Sequence, residues 1–164
     1  MKQITFQLVR GYSLISRTIG YWGAGYYGHI DTLTPAGTLR GARSDVIQGI
    51  PAGVHDRPAN YERWAKCVRY TVEVTDNQFA QFWAFSSMQL GKQYDTHGLV
   101  ETFVLGRDWR DDNQWWCSEL VAACLEASGV IVLAPELQKV TPGDCAFIFA
   151  GLLAKREEIP VKSV

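Results

Sequence analysis

The chain has 164 residues, 47% of them hydrophobic and 20% charged, which suits one globular domain over residues 1–164 with a sizeable core. A net charge of -1 with scattered Lys and Arg residues gives no electrostatic case for a nucleic-acid partner. The four cysteines, Cys67, Cys117, Cys124 and Cys145, contain no CxxC pair, which argues against a zinc ribbon, a thiol redox site and a disulfide scaffold.

Residues Lys2 to Val9 alternate apolar and polar side chains and predict a strand. No signal peptide is read there, and no uncharged run is long enough for an integral membrane segment, so a cytoplasmic location is expected. Ser13 to Ile19 suit a short helix capped by Ser13. Gly20 to Gly28 form a glycine- and aromatic-rich loop without the residues of a phosphate loop. His29 to Thr34 and Thr38 to Arg43 predict two strands joined by a Pro35-Ala36-Gly37 turn. Ser44 to Pro58 is irregular, with its Gly53 to Pro58 portion expected to edge the sheet.

Trp64 to Val74 predict a long strand, and Thr75 caps a helix through Gln78 to Ser86 that Gly91 to Asp95 closes. A further short helix is expected over His97 to Leu105. Asp108, Asp111 and Asp112 lack the alternate spacing and closing Glu of a calcium loop and read as a solvated turn. Cys117 to Ser128 predict a helix with Leu120, Val121, Cys124 and Leu125 on one apolar face and Gly129 as its stop. After Pro142-Gly143-Asp144, a shorter element spans Cys145 to Leu153, and the tail from Lys155 is either loose or an added edge strand.

Cys117 lies where a polar loop meets that helix, so it sits on the first turn. There the unsatisfied N–H groups and the helix dipole favour negative charge, first on a thiolate and later on an oxyanion. The competing reading makes Cys117 a small buried hydrophobe, as free cysteines commonly are. A thiol nucleophile needs a base, and the chain holds three histidines. His29 opens a strand after the aromatic loop, where its side chain can project into a cleft. His55 sits in an irregular stretch beside Asp56 and Arg57 and reads as solvated, and His97 reads as a helix cap. No two histidines have metal-ligand spacing, and no cofactor or metal is implied.

The order of these motifs is informative. Gly28-His29-Ile30-Asp31, Gly91-Lys92-Gln93-Tyr94-Asp95, Trp116-Cys117-Ser118-Glu119-Leu120-Val121 and Val140-Thr141-Pro142-Gly143-Asp144 resemble the circularly permuted branch of the NlpC/P60 superfamily. These are papain-like cysteine hydrolases of the YiiX-like and prophage type, with the histidine strand before the cysteine helix. The resemblance spans roughly residues 10 to 145. It implies an α+β, papain-like fold with an antiparallel sheet packed against helices, Cys117 as nucleophile and His29 as general base. It also implies that Tyr94 lies beside the nucleophile, bonding the thiolate or an oxyanion, with a packed core tyrosine as the alternative. Trp115, Trp116 and the loop from Tyr21 to Tyr27 are expected to wall the cleft.

In such enzymes a polar residue, often Glu, follows on the strand after the histidine and orients the imidazole. Here that strand offers Gly41 and Ala42, so Asp45 is the expected orienting group, with Ser44 or a backbone carbonyl as alternatives. The resulting expectation is a cysteine amidase or peptidase acting on a peptide, a cell-wall fragment or an acyl-type substrate, in the cytoplasm or in association with a phage. The rival is a phage- or prophage-associated binding module that keeps the fold without turnover.

Overall fold

The computed structural model describes residues 1–11, 26–95, 114–134 and 140–161. In chain order its elements are β1 (Lys2–Arg10), β2 (His29–Leu33), β3 (Leu39–Arg43), β4 (Gly53–Arg57), β5 (Lys66–Val74), α1 (Asp76–Met88), β6 (Gln93–Tyr94), β7 (Gln114–Trp115), α2 (Cys117–Ala127), α3 (Pro142–Gly151) and β8 (Lys155–Glu158). The expected helices at Ser13–Ile19 and His97–Leu105, most of the aromatic loop and the Asp108–Asp112 turn lie outside the described residues.

Six strands form one antiparallel sheet in the order β4-β3-β2-β1-β5-β8, so the fold is α+β as expected. The alternation in β1 explains its central place. Ile4, Phe6 and Leu8 enter the main core with Phe82 of α1, Leu120 and Leu125 of α2 and Phe149 of α3. Phe6 stacks on Phe149 with ring centroids 4.6 Å apart and meets Phe82 edge-on at 5.8 Å. A second cluster joins Val9, Leu39 and Cys67 to Tyr61 and Trp64 from the β4–β5 connection. The β2–β3 hairpin forms where expected, with Gly37 at φ 82 supplying the left-handed turn position. The tail takes the edge-strand alternative, β8 pairing with β5.

Two helices differ from expectation. The pattern in α2 suggested one apolar face, yet every residue from Cys117 to Leu125 is buried, Ser118 and Glu119 included. The helix is enclosed by α1, α3, β2 and β3, which leaves its first turns without a solvent side. Helix α3 begins at Pro142, not at Cys145. Thr141 Oγ1 accepts from the Asp144 N–H at 3.2 Å while Asp144 Oδ2 accepts from the Thr141 N–H at 2.8 Å. Pro142 fits the first helical position because a missing N–H costs nothing there. Among the described residues, no helix is long and apolar enough to cross a membrane.

Candidate active site

Cys117 is the first residue of α2 and follows an N-cap, Trp116, in extended conformation. Glu119 reaches back to accept the Trp116 N–H at 3.2 Å, but Trp116 makes no side-chain cap to the first turn. The N–H groups at the helix start therefore keep their electropositive end beside Cys117. Two bonds hold this helix start in place. Ser118 Oγ donates to the Val140 carbonyl at 2.6 Å, and Trp115 Nε1 donates to Gln89 Oε1 at 3.1 Å.

His29 opens β2, close enough to Cys117 for a side-chain hydrogen bond. Two residues along the same strand, the pleat directs Asp31 the same way. His29 Nε2 and Asp31 Oδ1 lie 2.9 Å apart, which leaves Nδ1 as the nitrogen that serves the thiol. The His29 side chain is 12% exposed and that of Asp31 fully buried. Burial pulls the imidazolium down, but the Asp31 charge, the Cys117 thiol and the hydrogen bonds to both outweigh it and raise His29 to about 9. For Asp31 burial pushes up, and the His29 charge, the bonds from His29 and Tyr61 and the Arg43 charge bring the carboxyl below its ordinary value. An imidazole held between a carboxylate and a cysteine is the arrangement that can take and return a proton there.

The carboxylate that meets the imidazole is Asp31, whereas Asp45, the group expected from the sequence, meets Arg43. Asp45 grips Arg43 through both oxygens, at 2.8 and 2.9 Å. The reason lies in Gly41, on the neighbouring strand. A Cβ at Gly41 would collide with Asp31 Oδ1 and come within 3.0 Å of its Cγ. The glycine that looked like a missing acid is the space that an acid from β2 occupies. A histidine followed two residues later by aspartate, opposite a glycine, was the signal available in the sequence.

Tyr94 reaches the site through β6, which pairs parallel with β7 so that Tyr94 sits opposite Trp115, just before the cysteine helix. Burial pushes its phenol well above the ordinary range, and the nearby Cys117 and Glu119 add to the rise, so Tyr94 stays a protonated phenol near Cys117. Trp116 is buried beside Cys117, and its indole N–H has no partner among the described residues. The other cysteines are free and buried. Burial lifts Cys67 to about 11, Cys124 to about 12 and Cys145 well above its usual value.

Among solved structures the chain is similar to the metalloprotein YiiX from Escherichia coli O157:H7, at 18% identity and a TM-score of 0.57. The match covers 79% of this chain and 67% of that one. The fold is YiiX-like. No protein-family profile and no curated protein matches the sequence. That protein is named as a metalloprotein. Among the described residues no three His, Cys, Asp or Glu side chains converge for a metal, and His29 has both ring nitrogens engaged, by Asp31 and Cys117.

Proposed function

We propose that the protein is a cysteine hydrolase that cleaves an amide, or a related ester or thioester, through Cys117, His29 and Asp31. The observation that carries this reading is one contiguous set: a cysteine at a helix start, an imidazole beside it, and a buried carboxylate 2.9 Å from the far ring nitrogen. The resemblance to permuted NlpC/P60 hydrolases supports a peptide, a cell-wall fragment or an acyl group as substrate.

With the proton shared by the pair on His29, Sγ attacks the carbonyl carbon as the thiolate. Charge develops on the carbonyl oxygen, where the first-turn N–H groups and the Tyr94 hydroxyl donate to it. The intermediate collapses as His29 protonates the leaving amine, leaving a thioester on Cys117. Water, deprotonated by His29, attacks the thioester and releases the acid and the thiol. Throughout, Asp31 holds the imidazole in one orientation and balances its positive charge. Trp115 and Trp116 wall the approach to Cys117.

The test is the rate of iodoacetamide alkylation at Cys117, read by mass spectrometry from about pH 5 to pH 10. At neutral pH the wild type is expected to label at least about tenfold faster than His29→Ala. Equal rates in the two proteins would sink the hydrolase reading and leave a binding module with the same fold.

A further inference from the structure

Asp31 is held from behind. Its Oδ1 meets His29, and its Oδ2 accepts the Tyr61 hydroxyl at 2.7 Å. Tyr61 Oη in turn accepts from Arg43 Nη1 at 3.2 Å. A guanidinium can only donate, so the single phenolic proton is committed to Asp31. Arg43 is clamped by Asp45 on two oxygens and by Glu62 at 2.8 Å, and it stacks over the Tyr61 ring 5.2 Å from the centroid. Tyr61 is only 5% exposed and stands edge-on to Trp64 at 5.3 Å. Its backbone is fixed by an N–H bond to Pro58 at 3.0 Å and by Gln48 donating to its carbonyl at 3.2 Å.

We infer that Tyr61 is a positioning residue for the proposed hydrolase, locking the Asp31 carboxylate so that Oδ1 stays on His29 Nε2, with Arg43 fixing the direction of the Tyr61 proton. The inference rests on the proposed Cys117–His29 chemistry. A carboxylate anchored through one oxygen alone can swing. Asp31 has competing cations to swing toward, because the charges of Arg57 on β4 and Arg43 on β3 both act on it. Arg57 is fully buried and already donates to the carbonyls of Gly41, His55, Pro51 and Gly53. The other titratable groups around the pair are Cys67 on β5 beside Asp31, Cys117 on α2 beside His29, and Asp45 within reach of the His29 charge. Anchoring both oxygens keeps Asp31 committed to the imidazole. Asp45 thus bonds toward the site through Arg43 and Tyr61, with Arg43, Tyr61 and Asp31 between it and His29.

The experiment follows the His29 ring by nitrogen-15 NMR in wild type and Tyr61→Phe. Wild-type His29 is expected to titrate near 9, and the variant about one pH unit lower, with its Nε2 proton broadened by exchange. A merely structural tyrosine would lower the melting temperature and leave that midpoint in place. An unchanged or raised midpoint overturns the inference. Should Tyr61→Phe not fold, the wild type decides through the Tyr61 hydroxyl, observed with carbon-13 at Cζ in mixed light and heavy water. A slowly exchanging hydroxyl supports the lock, and a fast one overturns it. If His29 titrates normally in wild type, or Cys117 alkylation ignores His29, the hydrolase reading fails and this inference falls with it. If the pair is present and only Tyr61 proves indifferent, this inference alone fails.

Discussion

Helix α2 carries two buried cysteines seven residues apart, and each lies near a charge pair donated by the sheet. Cys117 faces His29–Asp31. Cys124 bonds Ser86, and beside it Arg40 is held by Asp56 at 2.6 and 2.8 Å. Arg40 also donates to Ser87 at 3.1 Å and more weakly to Ser86 at 3.4 Å. Burial is nearly the same at the two thiols, 7% and 2% exposed. What differs is the chemistry of the neighbour. An arginine never gives up its proton near neutral pH and a serine hydroxyl is a poor base, so nothing beside Cys124 can take the thiol proton. Position differs too, since mid-helix amides are spent on intrahelical bonds whereas those at Cys117 are not. For the proposed chemistry a nearby cation and a low dielectric are therefore insufficient. The neighbour must be able to exchange a proton.

The most direct way to break the comparison is to remove each thiol. Cys117→Ser is expected to lower hydrolysis of the first active peptide or acyl-ester substrate by about a thousandfold or more. Cys124→Ser is expected to keep activity within about threefold, with its effect confined to stability. Steady-state kinetics on both variants, alongside thermal melts, separate the roles. Equal losses would mean that Cys117 acts as a core residue like Cys124.

A smaller effect is expected from Gly41→Ala. One methyl group must occupy the space of the Asp31 carboxylate, flanked by the Ile30 carbonyl 3.3 Å away, so Asp31 has to leave the imidazole. Activity is expected to fall about ten- to a hundredfold, with about 1–3 kcal/mol of stability lost to crowding. The nitrogen-15 titration of His29 checks the cause, because the midpoint should drop as Asp31 withdraws. A retained midpoint with lost activity would place the damage elsewhere.

Much of the fold was legible in the sequence because local chemistry and tertiary context agree there. Alternation in β1, the Pro35-Ala36-Gly37 turn, the Thr75 cap and the Gly129 stop each specify their element without help. The start of α3 was misread because Pro142 and Gly143 look like loop residues until Thr141 and Asp144 are seen to cap each other. That Cys117 and His29 come together was legible through motif order. The carboxylate was not, because a side chain from β2 fills space that belongs to β3, and only the strand pairing brings Asp31 over Gly41. Tyr61 and Arg43 carry no motif at all, and Tyr61 links Arg43 to Asp31 only after the β4–β5 connection folds back over the sheet.

The gentlest test of the comparison is the pH dependence of stability, because the two thiol sites should lose stability over different ranges. His29 is raised in the folded state from an unfolded value of roughly 6.5 to about 9. Its contribution is therefore complete below roughly pH 6.5 and is lost as pH climbs through 9, a decline of about 3 kcal/mol. Cys124 is raised to about 12 by burial, which disfavours its thiolate in the folded state. Its effect begins only above the roughly 8.5 of an unfolded thiol and continues toward 12, again lowering stability as pH rises. Urea unfolding of wild type, His29→Gln and Cys124→Ser at several pH values resolves the two. His29→Gln should flatten the curve between about pH 6.5 and 9 and leave the steeper fall above it, whereas Cys124→Ser should do the reverse. If His29→Gln changes nothing below about pH 9, the imidazolium is not held by Asp31 and Cys117, and the distinction between the two cysteines loses its physical basis.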